Sequence, residues 1–227
     1  MVVAVIADIV GSRRLRDRAQ AQRMFDETIA RVEQEHPLAL EPLRPTVGDE
    51  QQGVYRTLDE AMVGVLLLQL ALPEGAEFRY GLGVGEIRAI ESAHRELTDG
   101  PGWWAAREAI DIVHARQQKA VPTARSWIVA APGQSEPALV STANAYLLAR
   151  DAVVVRMSAR ERRLAYGRLG GLSQSELAAQ EGVTQPAVSK ALRSSGAAAL
   201  LDGLEQLRLD KPRYEQPRLE QQKEGVA

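Results

Sequence analysis

The chain opens on an apolar run, Val2 to Val10, interrupted by one carboxylate, Asp8, and closed by Gly11-Ser12-Arg13. Val, Ile and Ala in such a run predict a strand buried on both faces. A charge near its end is costly unless something pairs with it, so Asp8 marks either a site or an ion pair. Asp17 caps a predicted helix to about Glu35, with Ala21, Met24, Phe25, Ile29 and Val32 at helical spacing. Leu38 to Val47 and Gln51 to Arg56 read as a hairpin whose tip is Gly48-Asp49-Glu50. Leu58 to Leu72 is a helix with Ala61, Val65, Leu68 and Leu72 on one face. Glu77 to Ile87 is a glycine-rich strand carrying Gly81, Gly83 and Gly85 before Glu86. A helix from Trp103 to about Gln118 and a short strand, Arg125 to Ala130, complete this half.

The first six elements run β-α-β-β-α-β, the order of the ferredoxin-like split unit. The expected fold class is α+β: a ferredoxin-like palm domain over residues 1–130, then an all-α domain. The first strand is expected beside the strand that precedes the hairpin turn, which brings Asp8 near Asp49. The glycine-rich strand and Glu86 are expected to converge on the same site. Residues 131–140, with Pro, Gly and Ser, read as a connector. Residues 141–210 form the helical domain, with predicted helices over 142–157 and from Ser158 to about Arg168. The polar stretch 211–227 is expected to be disordered.

Charge sharpens the division. Residues 1–139 carry 15 Lys and Arg against 20 Asp and Glu, whereas residues 140–196 carry 8 against 4. A basic segment behind an acidic one points towards nucleic acid. The absence of cysteine excludes thiol catalysis, thiol ligands and disulfides. No apolar run approaches the ~20 residues of a membrane span, and no secretory signal is recognisable. The expected location is the cytoplasm, with no membrane partner.

The best-defined local pattern is Ser173 to Arg193, which resembles the helix-turn-helix of bacterial regulators and sigma factors. Ser173 and Glu176 form a capping box, Gly182 permits the turn, Thr184 caps the second helix and Pro186 fits its first turn. Leu177, Val183, Val188 and Leu192 form the shared core. The outward set, Thr184, Gln185, Ala187, Ser189, Lys190 and Arg193, carries donors and small residues suited to the major groove of double-stranded DNA. The alternative is a helical hairpin that touches only protein. Because operators are usually read by dimers, a homodimer is expected.

Asp8-Ile9-Val10-Gly11-Ser12-Arg13, Gly48-Asp49-Glu50, the glycine-rich strand ending Gly85-Glu86, and Asp99-Gly100-Pro101 before Ala106-Arg107 together resemble the SatD family over roughly residues 1–130. That family is associated with acid tolerance, a stress response. The same stretches resemble the palm of class III nucleotide cyclases. The cyclase resemblance implies that Asp8 and Asp49 hold Mg²⁺ or Mn²⁺, that Gly11, Ser12 and Arg13 bind phosphate of a nucleotide or related ligand, and that Arg107 stabilises the transition state if the chain is active. Glu50 is either a third metal ligand or an exposed turn residue. Pro45 and Trp103 stand where cyclases carry the base-reading lysine and the ribose-positioning asparagine, which argues against cyclase turnover. The sequence therefore reads as a DNA-binding transcriptional regulator with a ligand- or partner-sensing palm. The alternative is a metal-dependent nucleotide-binding or nucleotide-converting enzyme with an accessory helix-turn-helix. Trp103 and Trp104 either stack on a base or pack at the helix start. His36, His94 and His114 have no ligand spacing.

Overall fold

A computed structural model describes residues 2–12, 17–46, 48–90 and 97–207; Arg13, His94 and the tail 211–227 lie outside the described residues. In chain order the elements are β1 (Val2–Ile9), α1 (Arg18–Glu35), β2 (Ala39–Pro45), β3 (Glu50–Tyr55), α2 (Leu58–Ala71), β4 (Phe78–Gly85), β5 (Arg88–Ile90), β6 (Leu97–Asp99), α3 (Pro101–Gln118), β7 (Ser126–Ala130), α4 (Pro137–Val154), α5 (Ala159–Leu169), α6 (Gln174–Glu181), α7 (Gln185–Ser194) and α8 (Ala197–Leu207). The architecture is mixed α/β with an open sheet of five strands, ordered β2-β3-β1-β4-β7, and a separate β5-β6 pair. β1 is antiparallel to both neighbours, and β7 joins β4 in parallel. The neighbour of β1 across the hairpin is β3, the strand after the turn, not the strand before it. Asp8 nonetheless reaches the hairpin tip, because its register partner is Glu50.

Alternation along β1 divides the molecule into layers. Val3, Val5, Ala7 and Ile9 face Phe25, Ile29 and Val32 of α1 and the apolar side chains of α2. Ala4 and Ile6 face Ala106 and Ile110 of α3. Both faces of β1 are thus covered, as its uniform apolarity requires. α2 begins at a capping box between Thr57 and Glu60. It is buried on every side from Ala61 to Leu70, not on one face alone. A helix apolar all round needs cover all round, and α5 supplies the outer layer.

Gly81, Gly83 and Gly85 face α3. A Cβ built on Gly83 would lie 2.0 Å from the Gly102 carbonyl oxygen and 2.3 Å from the Ala106 nitrogen. These glycines are therefore the track on which α3 sits, its backbone directly against β4.

α4 starts at Pro137, so the stretch between β7 and α4 is shorter than the connector expected over 131–140. α4 is bound to the sheet by polar contacts. The Asn144 amide accepts from Ile128 N (2.8 Å) and donates to Ile128 O (2.9 Å), occupying the outer edge of β7 as another strand would. Two turns further on, Asp151 accepts from the backbone amides of Arg125 and Ser126, each at 2.7 Å. The apolar core then continues without a break through Leu147, Leu164, Leu177, Val188 and Leu200. No helix among the described residues is long and apolar enough to cross a membrane.

Candidate functional site

The sheet end where β1 stops gathers most of the singled-out polar residues of the first half. Asp8 and Arg79 are register partners on the face towards α3. Arg79 Nε donates to Asp8 Oδ2 at 3.0 Å and Nη2 to the same oxygen at 2.5 Å, while Nη1 donates to Gln117 on α3 at 2.9 Å. The charge anticipated from the sequence is thus partly neutralised by an arginine two residues before Gly81. Burial nevertheless pushes the Asp8 carboxyl above its ordinary value, against the pull of Arg79 and with the help of the negative Asp49. Burial also pushes Asp49 up, but bonds from the Ser12 hydroxyl, from its own backbone and from Asp8, together with the positive charge of Arg18, leave it below the ordinary value. The two carboxyls behave as a coupled pair in which Asp8 keeps its proton longer and Asp49 loses its own earlier.

Gly48 at the hairpin tip has φ +72°, which places Asp49 at the mouth of a cleft of about 350 Å³ lined also by Ile9, Ser12, Arg18 and Gln22. Glu50, opposite Asp8 in the β1–β3 register, is engaged by α3. Arg107 of α3 donates to both of its oxygens (2.7 and 2.6 Å), and Gln52 donates to it at 2.8 Å. Among the described residues no three acidic or imidazole side chains are grouped to hold a metal, and both oxygens of Glu50 are engaged by Arg107. Two carboxylates fit a hard cation such as Mg²⁺ or Mn²⁺ that keeps waters and arrives with a phosphate ligand; they do not make an all-protein cage. Gly11 and Ser12 lie immediately after β1, and Ser12 borders the cleft.

The second group of residues lies on α6 and α7. Ser173 and Glu176 form the capping box at the start of α6, and Gly182 ends that helix in the left-handed region (φ 64°, ψ 35°). Thr184 caps α7 by accepting from Ala187 N at 3.4 Å. Leu177, Ala178, Val188 and Leu192 are buried between the helices. Thr184, Gln185, Ala187, Lys190 and Arg193 are exposed, and Ser189 is half-buried. Neither Lys190 nor Arg193 is in an ion pair among the described residues; Arg163 instead clamps Glu181 with two bonds of 2.7 Å, which ties α5 to α6.

Residues 2–205 match the SatD family. The chain belongs to the SatD family. The matched stretch runs beyond the 1–130 stretch of the quoted motifs and takes in α6 and α7. No curated protein sequence matches it. Among solved structures it is similar to the adenylyl cyclase CyaB from P. aeruginosa, at 14% identity and a TM-score of 0.34, over 47% of this chain and 69% of that one.

Not every singled-out residue of this SatD chain joins a site. Glu86 is exposed at the opposite end of the sheet, where it pairs with Arg88 at 2.7 Å; Gly85 there registers with Val2, six residues from Asp8 along β1. Trp103 packs against the core under α3 and donates to Thr98 at 3.2 Å. Trp104 is exposed, and its indole donates to Asp99 at 2.9 Å. His36 stacks edge-on to Tyr166, and His114 contacts Gln118.

The sequence reading missed a fully buried centre. Arg150 and Asp151 form an ion pair at 2.9 Å with both side chains at 0% exposure. Arg150 also donates to Ser126 Oγ (2.5 Å) and Met62 O (3.3 Å), and Gln69 donates to Asp151 at 3.0 Å. An adjacent Arg-Asp inside the apolar stretch 143–155 was the available signal.

Proposed function

We propose that this SatD-family chain is a transcriptional regulator that binds double-stranded DNA through a helix-turn-helix formed by α6 and α7. Its ferredoxin-like palm senses a phosphate-bearing ligand or a partner at the cleft bordered by Ser12, Arg18 and Asp49, next to Asp8. The observation that carries the reading is the division of α7. Val188 and Leu192 are buried, while Thr184, Gln185, Ala187, Lys190 and Arg193 lie exposed on its other side, beside the half-buried Ser189. Lys190 and Arg193 are cations placed to meet phosphate, and the polar residues near the helix start are placed to meet base edges. A homodimer would present two such helices to two half-sites. The continuous core and the clasp of α4 on β7 support a rigid link between cleft and DNA-binding helices.

The test is a mobility-shift titration of the full chain and the double variant Lys190→Ala/Arg193→Ala on duplex DNA across a salt series. Losing two phosphate contacts should weaken binding at least tenfold and reduce the slope of log K against log salt by about 2. Equal affinity and slope for the two proteins would remove the assignment.

A second reading, a metal-dependent nucleotide-binding or nucleotide-converting enzyme, is favoured by the adjacent Asp8 and Asp49 carboxyls. Asp8 and Asp49 would hold Mg²⁺ or Mn²⁺; Ser12 and Arg18 border the cleft, and Gly11 lies just before Ser12. The ion would neutralise phosphate charge and polarise it. Arg107, engaged with Glu50, would have to leave that carboxylate to act on a substrate. Cation binding must displace the proton held by the pair. In the ion-free protein the raised Asp8 value favours folding below its ordinary 3.8 and loses that contribution as pH rises through the folded value. Stabilisation by Mn²⁺ should therefore grow as pH rises above 3.8 and Asp8 loses its proton, as read by thermal shift, and be absent from Asp49→Asn. A shift equal in wild type and variant would place the ion elsewhere.

A further inference from the structure

Two glutamines open the two helices of the proposed DNA-binding pair: Gln174 directly follows the cap Ser173, and Gln185 directly follows the cap Thr184. Gln185 Nε2 donates to Gln174 Oε1 at 2.6 Å. The residues around them are committed to the backbone. Ser173 Oγ accepts from Glu176 N (3.2 Å), Glu176 accepts from Ser173 N (2.7 Å), and Thr184 Oγ1 accepts from Ala187 N (3.4 Å). The glutamine pair caps neither helix, and the packing of α6 on α7 is carried by Leu177, Ala178, Val188 and Leu192. What the bond does is fix the Gln185 amide in one orientation.

That orientation has a chemical consequence. With one N–H spent on Gln174, the exposed Gln185 amide offers its carbonyl oxygen and one remaining N–H. In the major groove adenine presents a donor at N6 beside an acceptor at N7, which such an amide satisfies with two bonds. Guanine presents two acceptors, O6 and N7, and would set an oxygen against the amide oxygen. We propose that Gln185 is a specificity-determining residue that selects adenine, and that Gln174 is a positioning residue that sets the amide. The proposal rests on the DNA-binding reading above.

The experiment is selection of binding sites by the full chain from a randomised duplex library, followed by sequencing, for wild type, Gln185→Ala and Gln174→Ala. Wild type should enrich a site containing adenine at one position. Gln185→Ala should lose the preference at that position, keep it elsewhere, and bind the wild-type site about tenfold more weakly. Gln174→Ala frees the second N–H, so the same position should admit guanine beside adenine. Gln185 is exposed, Gln174 is half-buried and neither caps a helix, so melting temperatures of the variants should stay close to wild type. Enrichment by wild type with a Gln185-dependent base other than adenine, or with no position sensitive to Gln185, overturns the proposal while the DNA-binding reading stands. An unchanged base preference in Gln174→Ala overturns the positioning role. No enrichment by wild type overturns the DNA-binding reading itself.

Discussion

Asp151→Ala should lower the stability of the folded chain by about 3–5 kcal/mol, the cost of breaking a buried ion pair from one side. Its carboxylate accepts from Arg125 N, Ser126 N, Gln69 and Arg150. Alanine leaves a guanidinium at 0% exposure with no anion, and the backbone amides of Arg125 and Ser126 with no acceptor. In a chain of this size each kcal/mol moves the melting temperature by roughly 2–4 °C, so a drop of about 6–20 °C is expected in a thermal scan. The double variant Arg150→Met/Asp151→Leu separates charge from hydrogen bonding. It removes the unpaired cation and should recover part of the loss, but the amides of Arg125 and Ser126 remain orphaned, each at about 1–3 kcal/mol. Arg163→Ala is the contrast. That arginine is 57% exposed in its pair with Glu181, and its removal should cost no more than about 1 kcal/mol. A loss for Asp151→Ala as small as that would mean that the centre is reached by water.

Gly83→Val is the second large effect. The nearest atoms to an added Cβ are backbone: Gly102 O at 2.0 Å, Ala106 N at 2.3 Å and Ala106 Cα at 2.9 Å. No side-chain rotation relieves them, so α3 must lift off the sheet. Overpacking of this kind costs about 1–3 kcal/mol and sometimes more; with three backbone contacts the upper end is expected in urea denaturation. The consequence extends to the cleft, because α3 carries Gln117, which holds Arg79, and Arg107, which holds Glu50. On the proposed metal-binding reading, the variant should also lose stabilisation by Mn²⁺. Gly48→Asn is the comparison: nothing lies within 4 Å of a Cβ there, and only the positive φ of +72° opposes the change, which asparagine tolerates. A melting temperature for Gly83→Val close to that of Gly48→Asn would overturn the account of α3 packing.

Much of the fold was legible because the signals were local. The apolar run at β1, the cap residues Asp17, Ser158, Ser173 and Thr184, and Gly182 each act within a few residues, and the elements begin and end near them. Long-range pairing was less legible. The partner of Asp8 proved to be Arg79, 71 residues away, and nothing around Arg79 in sequence distinguishes it from an exposed arginine. The glycines of β4 were read as part of a site, whereas their spacing of two records the approach of a helix to one face of a strand. The buried α2 was read as amphipathic from four positions. Its other apolar residues, Met62, Val63, Leu66, Leu67 and Leu70, were the mark of a further layer. Glu50 could not be apportioned between cation and arginine from sequence, because that choice depends on where α3 lies.

The clasp of Asn144 and Asp151 on β7 also decides how copies of this chain can meet. An exposed strand margin invites a strand from a second molecule. Here the β7 margin is already taken by the amide and carboxylate of α4. At the other flank, β2 carries Pro42 and Pro45, which have no N–H to offer, and its pairing with β3 is interrupted between Ala39 and Arg44. Neither flank is a template for growth. A strand from a second copy would therefore find few free backbone groups on either margin of this sheet.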